Sequence, residues 1–249
     1  MRLTLLGTGD AAGMPLYGCN CDRCTMVKVN AEHQRGPTSA LLEVDNKRYL
    51  IDAGLMDIAD RFPASTLDGI ILTHFHADHV QGLFHLRWGI DQKIPVYCPP
   101  DSSGCADLFK HPGILDFQVQ RKFETIDLGA LKLTPVPLIH SKPTFGYLME
   151  HNGHSIAYLV DTKDIPPRTE EFLSKKLLNA VVLDTSAPPG VESGNHNNLD
   201  NTLMLQQRID AKKTVMTHIG HDFDIWLSHH HKSLPEGLIP GFDNYIVFP

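Results

Sequence analysis

The sequence predicts an α+β protein in which two β-sheets lie between outer layers of helices. Apolar, β-branched runs bounded by turn residues recur along the chain and outnumber the helical stretches. The helical stretches are interleaved among these runs, which favours sheets covered by helices. The 249 residues contain no repeat, low-complexity tract or linker, so we expect a single domain over residues 1–249.

In the amino-terminal half, turn and breaker residues separate the elements. Asp45-Asn46 joins two apolar runs as a hairpin, and Pro112 ends a helix. The first strand runs into the glycine turn GTGDAAG, which lacks the lysine of a phosphate-binding P-loop. The predicted strands cover 2–6, 39–44, 48–51, 70–72 and 95–98, and the predicted helices cover 22–33, 55–61 and 103–110.

In the carboxy-terminal half, a run of strands gives way to alternating helices and strands. Asn152-Gly153 is a strong hairpin signal between two of these strands. The predicted strands cover 119–126, 131–138, 145–150, 155–160, 180–183, 214–217 and 245–248, and the predicted helices cover 168–178 and 199–209.

The composition is that of an ordinary globular protein, with 42% apolar and 20% charged residues. A net charge of −7 offers no basic footprint for nucleic acid or for an anionic membrane. The first apolar stretch is too short for a signal peptide, and no run could span a bilayer. We therefore expect a cytoplasmic protein whose five cysteines stay reduced and suit metal binding better than disulfides.

Residues 69–82 concentrate metal ligands directly after a predicted buried strand. The sequence GIILTHFHADHVQG places His74, His76, Asp78 and His79 within six residues. Imidazoles and carboxylates suit zinc, manganese or iron. Alternate residues of an extended segment share a side, so His74 and His76 can reach one ion while Asp78 and His79 serve a second. This density predicts a catalytic metal site rather than a solvated, histidine-rich loop.

Further candidate ligands follow other predicted strands. They are His140, Asp161, His218, Asp52 and Asp184. An aspartate in such a position is often only a helix cap or a turn residue, so the pattern alone does not choose among the three carboxylates.

Three cysteines form a second ligand group near the amino terminus. Cys19, Cys21 and Cys24 stand at the start of the predicted 22–33 helix, in a segment around residues 18–33. Their spacing fits a zinc knuckle that takes a histidine from elsewhere in the chain as its fourth ligand. The alternative is a set of free, redox-active thiols. We favour structural zinc because closed Cys₃His sites recur in proteins.

The motif HxHxDH after a buried strand resembles the signature of the metallo-β-lactamase superfamily. The resemblance implies an αββα sandwich with two metal ions at the rim of its sheets, and it makes Asp52 and Asp184 supports that orient the ligands. The ligands it implies are His74, His76 and His140 for one ion, Asp78, His79 and His218 for the other, and Asp161 as the bridge. Because the superfamily includes hydrolases, nucleases and oxidoreductases, the fold alone does not fix the function.

A more specific resemblance covers nearly the whole chain. The segments CxCxxC, THxHxDHVQGL, LRWG, DLFKHPG, HSKxTFGYL, Asn195-His196 and THIxHxFD resemble, in order, those of the bacterial phosphoribosyl cyclic phosphodiesterases of phosphonate catabolism by the carbon–phosphorus lyase pathway. This family hydrolyses 5-phosphoribosyl 1,2-cyclic phosphate to ribose 1,5-bisphosphate. The resemblance implies two Mn²⁺ (or Zn²⁺) ions at the catalytic site, and one structural Zn²⁺ on the three cysteines and His221.

The chemistry expected from this resemblance is attack of a metal-bridging hydroxide on phosphorus, at a catalytic centre that includes Asp78. His196 is the expected proton donor to the departing sugar oxygen, although spacing alone would make it a surface residue. The sequence departs from the family at Asn198 and Asp200, which stand where Asp and Asn are expected. Lys142 is either a phosphate ligand or a solvated charge.

Two other functions compete with this one. A ribonuclease of the transfer-RNA 3′-processing type would use a similar ligand set, but no Lys/Arg cluster offers a grip on RNA. A non-enzymatic zinc-knuckle or redox protein would carry a degenerate HxHxDH loop, whereas every ligand is present here.

The histidine run 229–231 is expected at the surface. The expected partner is a small anionic cyclic phosphate, without nucleic acid or membrane, and a homodimer stays open.

Overall fold

The computed structural model describes residues 1–90 and 92–249, and its core is a pair of seven-stranded sheets packed face to face. The first sheet has the order β14-β1-β2-β3-β4-β5-β6. Its strands are β1 (Arg2–Gly7), β2 (Ser39–Val44), β3 (Lys47–Ile51), β4 (Gly69–Ile71), β5 (Ile94–Cys98), β6 (Leu115–Val119) and β14 (Ile246–Val247).

The second sheet has the order β13-β12-β11-β10-β9-β8-β7. Its strands are β7 (Ile126–Asp127), β8 (Lys132–Pro137), β9 (Phe145–His151), β10 (His154–Leu159), β11 (Ala180–Asp184), β12 (Thr214–Thr217) and β13 (Leu238–Pro240). Each sheet is antiparallel in one part and parallel in the other, the parallel parts being β3 to β6 and β10 to β13. The carboxyl ends of these parallel strands form a common edge, where sites are usually built.

The described residues form eight α-helices, most of which cover the outer faces of the two sheets. They are α1 (Asp22–Val29), α2 (Ile58–Arg61), α3 (Ala77–Val80), α4 (Leu83–Leu86), α5 (Ala106–Lys110), α6 (Pro167–Ser174), α7 (Leu199–Ile209) and α8 (His221–His230). Between the sheets lies one apolar core, which includes the fully buried rings of Tyr147 and Tyr158. Separate clusters pack α2, α4 and α5 on the first sheet and α6 and α7 on the second. The predicted αββα sandwich is therefore confirmed.

Several predicted elements have different bounds. The 22–33 helix ends at Val29, because Asn30 is extended, and a 3₁₀ turn follows at Ala31–His33. The helix predicted at 55–61 begins at Ile58, that at 103–110 begins at Ala106, and that at 168–178 ends at Ser174. The last strand is limited to Ile246–Val247.

The predicted strand 119–126 is wrong. The chain instead forms β6 over Leu115–Val119, leaves the first sheet, and enters the second at Ile126–Asp127. The break contains Phe123 in the left-handed region (φ 63°), which an extended strand cannot accommodate. This segment is therefore the crossing between the sheets.

Four elements lack a counterpart among the sequence predictions. They are α3, α4, α8 and β13.

In the described ranges 1–90 and 92–249, no helix is long and apolar enough to cross a membrane.

Candidate metal centre

The candidate ligands converge at the edge where the parallel strands of both sheets end. Asp52 follows β3, His74 follows β4, and Asp161 follows β10. Asp184 is the last residue of β11, and His218 follows β12. Parallel strands deliver their carboxyl ends to one side, which explains how residues far apart in sequence meet there.

The first ligand group consists of His74, His76, His140 and Asp161. His76 Nδ1 lies 2.8 Å from His74 Nε2 and 3.0 Å from His140 Nε2. An ion with bonds of 2.0–2.1 Å sets ligand–ligand edges of about 2.9 Å in an octahedral shell and about 3.3 Å in a tetrahedral one. The nitrogen separations therefore have the size of such edges.

The second ligand group consists of Asp78, His79, His218 and Asp161. His79 Nε2 lies 3.3 Å from Asp78 Oδ2, and His218 Nε2 lies 3.8 Å from the same oxygen. Asp78 and His79 belong to α3, which follows the His74–His76 segment directly. The ligand-rich stretch is thus half extended and half helical, and its two halves face different groups.

Asp161 belongs to both groups. Its Oδ2 lies 3.3 Å from the Nε2 atoms of His79 and His218, and 3.7 and 3.8 Å from those of His74 and His140. One carboxylate oxygen among four imidazole nitrogens has the position of a ligand shared by two ions. The strand pattern alone did not choose among Asp52, Asp161 and Asp184. These distances distinguish Asp161 from the other two.

The donor set passes a direct test of fit to cations. In the part of the chain that the structure describes, His79 Nε2, His218 Nε2 and Asp161 Oδ1 are buried and without hydrogen-bond partners. Buried polar atoms are otherwise nearly always satisfied, and leaving one unpaired costs about 1–3 kcal/mol. Three such atoms at one point indicate that these residues are arranged for divalent ions.

Asp52 and Thr73 fix the ligands from the side of the first sheet. Asp52 Oδ2 lies 2.8 Å from His79 Nδ1, and Asp52 Oδ1 accepts from the backbone N–H of Thr73 at 2.8 Å. Thr73 Oγ1 lies 3.0 Å from His74 Nδ1. Engaging one ring nitrogen leaves the other directed at the ion, which is how outer partners orient histidine ligands.

Ser186 and Asp184 fix the ligands from the side of the second sheet. Ser186 Oγ lies 2.9 Å from His218 Nδ1 and donates to the His218 carbonyl at 2.7 Å or to Asp184 Oδ1 at 2.9 Å. His218 has a left-handed backbone (φ 57°), an unfavourable conformation for this residue that its packing and hydrogen bonds hold.

His196 lies against the centre from the loop before α7. Its Nδ1 is 2.7 Å from Asp184 Oδ2, and its ring stacks on that of His218 with a centroid distance of 4.6 Å. Burial opposes the effect, but the Asp184 carboxylate raises the pKa of His196 above its ordinary value. The structure thus places His196 beside the ligands rather than on an open surface.

The ionisation of the ligands suits cation binding. Burial, reinforced by the neighbouring His79, lowers the pKa of His74 well below its ordinary value, which favours the neutral imidazole that binds metals. Burial acts against it, but His218 and His79 hold the pKa of Asp161 well below the usual range. For His79 the shift has the opposite direction. Burial acts against it, but Asp161 and Asp52 raise the pKa of His79 well above its ordinary value. The negative charge of Asp161 and Asp52, which favours a proton on His79, would also favour a divalent cation bound beside it.

The three knuckle cysteines meet His221 in a separate group. His221 Nε2 lies 3.5 Å from Cys19 Sγ and 3.6 Å from Cys21 Sγ. A tetrahedral zinc with Zn–S of about 2.3 Å and Zn–N of about 2.0–2.1 Å sets S···N edges of about 3.5–3.6 Å. The fourth member, Cys24, is fully buried. The separations fit a closed structural zinc site.

A buried ion cluster holds the knuckle against α8. Asp224 of α8 pairs with Arg23 Nε of α1 at 2.6 Å and with Arg35 Nε at 2.7 Å. Arg35 Nη1 also donates to Thr8 Oγ1 and to the carbonyl of Gly241. Burial raises the pKa of Asp224, but the two guanidinium groups outweigh it and hold the pKa below the usual value.

A comparison with known protein families identifies the family to which this chain belongs. Residues 47–219 match the family described as the beta-lactamase superfamily domain, which is well over half of the chain. The chain belongs to the β-lactamase superfamily. The resemblance indicated by HxHxDH is thereby confirmed, and the matched range contains every ligand of the metal centre.

Three similar proteins show how wide the likeness is. A crystal structure of a new diphosphatase from the PhnP family is 29% identical, has a TM-score of 0.83, and covers 99% of this chain and 97% of that chain. The Zn²⁺-bound PqqB from Methylobacterium extorquens is 20% identical with a TM-score of 0.80 and full coverage of both chains, which shows the shared fold. An octanoyltransferase from Porphyromonas gingivalis is 27% identical over 98% of this chain, but the chain spans only about half of that protein's length.

Some functional residues escaped the sequence analysis. Ser186 and Thr73, which engage ligand histidines, are common residues without a motif of their own. Only their position in the chain could have indicated them, since each stands after a buried strand and close to a predicted ligand or carboxylate. The Arg35–Asp224 pair gave no signal, because 188 residues separate its partners along the chain.

Proposed function

We propose that this chain is a metal-dependent hydrolase that opens a cyclic phosphodiester, converting 5-phosphoribosyl 1,2-cyclic phosphate to ribose 1,5-bisphosphate. The observation that carries the proposal is the pair of ligand groups joined by Asp161, with the His196–Asp184 pair beside it. The nearly full-length similarity to a PhnP-family diphosphatase supports reaction at phosphorus. This reaction would serve phosphonate catabolism.

The residues that would hold the ions are the two groups defined above, with Mn²⁺ or Zn²⁺ both suited to their nitrogen and oxygen donors. When bound, two divalent ions activate water near neutral pH and neutralise charge on phosphate oxygens. Cys19, Cys21, Cys24 and His221 would hold a structural Zn²⁺ that stabilises the fold.

The chain's own contribution to bond cleavage is a proton. His196 keeps its Nδ1 engaged with Asp184 Oδ2, which leaves Nε2 as the atom that faces substrate. As the ring P–O bond breaks, the sugar oxygen becomes an alkoxide and takes the Nε2 proton, and His196 is left neutral. The Asp184 carboxylate orients the imidazole and stabilises its charged form before the proton is transferred, as the aspartate beside a catalytic histidine does.

A second candidate function is hydrolysis of a diphosphate. It is favoured by the similarity to the PhnP-family diphosphatase, to which this chain is 29% identical. A phosphate leaving group needs no proton, so such a reaction would depend little on His196. A ribonuclease activity has less support, since the net charge of −7 gives no electrostatic attraction to RNA.

The deciding experiment compares kcat/KM for three substrate classes after metal loading. They are 5-phosphoribosyl 1,2-cyclic phosphate, nucleoside 2′,3′-cyclic phosphates and nucleoside diphosphates. The proposal expects the first to be best, and expects Asp78→Asn, which removes a ligand charge, to lose all three activities. Preference for diphosphates would establish the second candidate, and turnover of none of the three would refute the proposal.

A further inference from the structure

Lys142 lies beside the metal centre and has no part in the reaction as described. It follows the ligand His140 by two residues, in the loop between β8 and β9. The intervening Ser141 has its Oγ 3.4 Å from His76 Nε2, and Asn195 Nδ2 donates to that Oγ at 3.1 Å. Ser141 therefore joins a metal ligand to the loop of His196, and Lys142 is the next residue along the chain.

The partner of Lys142 is an aspartate that is itself rigidly held. Lys142 Nζ lies 3.4 Å from Asp101 Oδ2. Asp101 Oδ1 accepts from the Ser103 N–H at 3.0 Å, the Ser103 hydroxyl at 2.8 Å and the Gly104 N–H at 2.9 Å. The Asp101 side chain is 3% exposed, whereas that of Lys142 is 26% exposed. A fixed, buried carboxylate thus holds a partly exposed ammonium in place.

The contact leaves the ammonium able to bind another anion. At 3.4 Å it is longer than the 2.7–2.9 Å of a strong charge-assisted hydrogen bond. An ammonium has three donors, of which Asp101 engages one. Most lysine–aspartate pairs at surfaces contribute little to stability, and such a pair alone would have no functional meaning.

The charge of Lys142 is the feature that distinguishes it. The centre is lined by the carboxylates of Asp78 and Asp161, with Asp52 and Asp184 behind them. Its neighbour Ser141 contacts the ligand His76, so Lys142 stands at the border of this acidic centre. A substrate with an anionic group beyond the reach of the ions would meet this ammonium at the rim.

We propose that Lys142, positioned by Asp101, binds a second anionic group of the substrate, remote from the phosphate that is cleaved, and so selects cyclic phosphates that carry a terminal phosphate. The inference rests on the proposed function and names the residue that would read the distal end of the substrate. An ammonium on a flexible stem suits such a phosphate as a point charge. Asp101 is a positioning residue, since it acts through Lys142.

The test compares two substrates that differ only in the distal group, 5-phosphoribosyl 1,2-cyclic phosphate and ribose 1,2-cyclic phosphate. In the wild type, kcat/KM should be higher for the first. Lys142→Gln should reduce this preference about 10-fold to 100-fold, the size of one charge-assisted hydrogen bond, and mainly through KM. Lys142→Arg should recover part of it.

Asp101→Asn tests the positioning role, because it keeps an oxygen for the Ser103–Gly104 turn but removes the charge that holds Lys142. It should reduce the preference in the wild-type background and have no effect on it in Lys142→Gln. A purely structural role for Asp101 would lower both substrates equally in both backgrounds. Lys176→Gln is the matched control, since Lys176 pairs with Glu150 at 3.0 Å with similar exposure at the far end of β9.

Two outcomes would overturn the inference, and they are distinguishable. If Lys142→Gln lowers kcat/KM by the same factor for both substrates, Lys142 does not read the distal phosphate, while the proposed function stands. If the metal-loaded wild type hydrolyses neither substrate, the proposed function itself fails and the inference falls with it.

Discussion

The carboxylate behind His79 shows how much a metal ligand depends on its partner. Asp52 Oδ1 and Oδ2 accept from three donors, the Thr73 N–H, the Thr73 hydroxyl and the His79 ring. Asp52 itself has a left-handed backbone (φ 56°), which aspartate tolerates better than most residues. The residue sits under the centre because the chain must turn sharply where β3 ends.

Replacing Asp52 with Asn should weaken metal binding without removing a ligand. The amide nitrogen cannot accept from His79 Nδ1, so the ring loses its fixed tautomer and orientation. We expect a loss of about 10-fold to 100-fold in metal affinity, measured by competition with a chelator. Asp68→Asn, at a surface pair with Lys47, is the control and should not change the affinity. Unchanged affinity in Asp52→Asn would contradict this role.

Replacing His196 with Ala should discriminate between leaving groups. A sugar alkoxide needs a proton to depart, whereas a nitrophenolate does not. His196→Ala should therefore slow 5-phosphoribosyl 1,2-cyclic phosphate far more than bis(p-nitrophenyl) phosphate, in steady-state assays at equal metal loading. Equal losses for the two substrates would instead assign His196 to phosphate binding.

At the residue scale, the strand pattern predicted the types of candidate ligand and their places at strand ends, but only the family resemblance implied which carboxylate is shared. Asp52, Asp161 and Asp184 occupy equivalent positions after buried strands. Their difference is set by how the two sheets face each other, which brings Asp161 Oδ2 between His79 and His218. Pattern along a chain carries no information about that distance.

At the scale of elements, α8 is the helix that carries His221 of the cysteine group and lies close in sequence to His218 of the second ligand group. It begins at His221, three residues after His218, and packs Phe223 and Leu227 into a buried cluster. The sequence did not indicate this helix, because Gly220 offers no side-chain cap and the helix carries histidines at its end. The β6–β7 crossing was missed for another reason, since the order of residues 119–126 along the chain does not reveal that their two ends join different sheets.

The Asp224 cluster makes a prediction about pH. Because the folded pKa of Asp224 is depressed, its contribution is fully present above the unfolded pKa of about 3.9 and is lost as pH falls through the folded value. Asp224→Asn should lower the free energy of unfolding by roughly 3 kcal/mol near pH 7. The difference from wild type should shrink below about pH 4.

Denaturant unfolding at several pH values measures this difference. Asp57→Asn is the control, because Asp57 pairs with Arg61 on the surface and should change stability by less than about 1 kcal/mol. A difference for Asp224→Asn that stays constant down to pH 3 would show that its ionisation is not what stabilises the α1–α8 contact.

At the scale of the whole molecule, a short segment after β12 carries a ligand of each metal site. His218 belongs to the second ligand group and His221 to the cysteine group. The isolated bridge of Gly9 with Ile219 ties the amino-terminal turn to this same segment. The two groups are therefore connected by a few residues of backbone, and we expect them to be coupled through it.

Loss of the knuckle zinc should therefore affect the distant centre. Cys21→Ser and His221→Ala should each remove one zinc per chain, lower the melting temperature and reduce hydrolysis by loosening His218. Cys105→Ser, outside the knuckle, is the control and should keep its zinc. If both knuckle variants retain full zinc content and melt like wild type, the coupling is wrong. A redox switch would instead show reversible inactivation by mild oxidant without bound zinc.

The most direct test of the account is the number of metal ions per chain in wild type and in Asp161→Ala. Elemental analysis of metal-loaded protein should give three ions per chain in the wild type, two in the ligand groups joined by Asp161 and one zinc in the knuckle. Asp161→Ala should retain only the knuckle zinc, keep its fold by circular dichroism, and lose phosphodiester hydrolysis. Three ions and normal turnover in Asp161→Ala would contradict a centre built around that shared carboxylate.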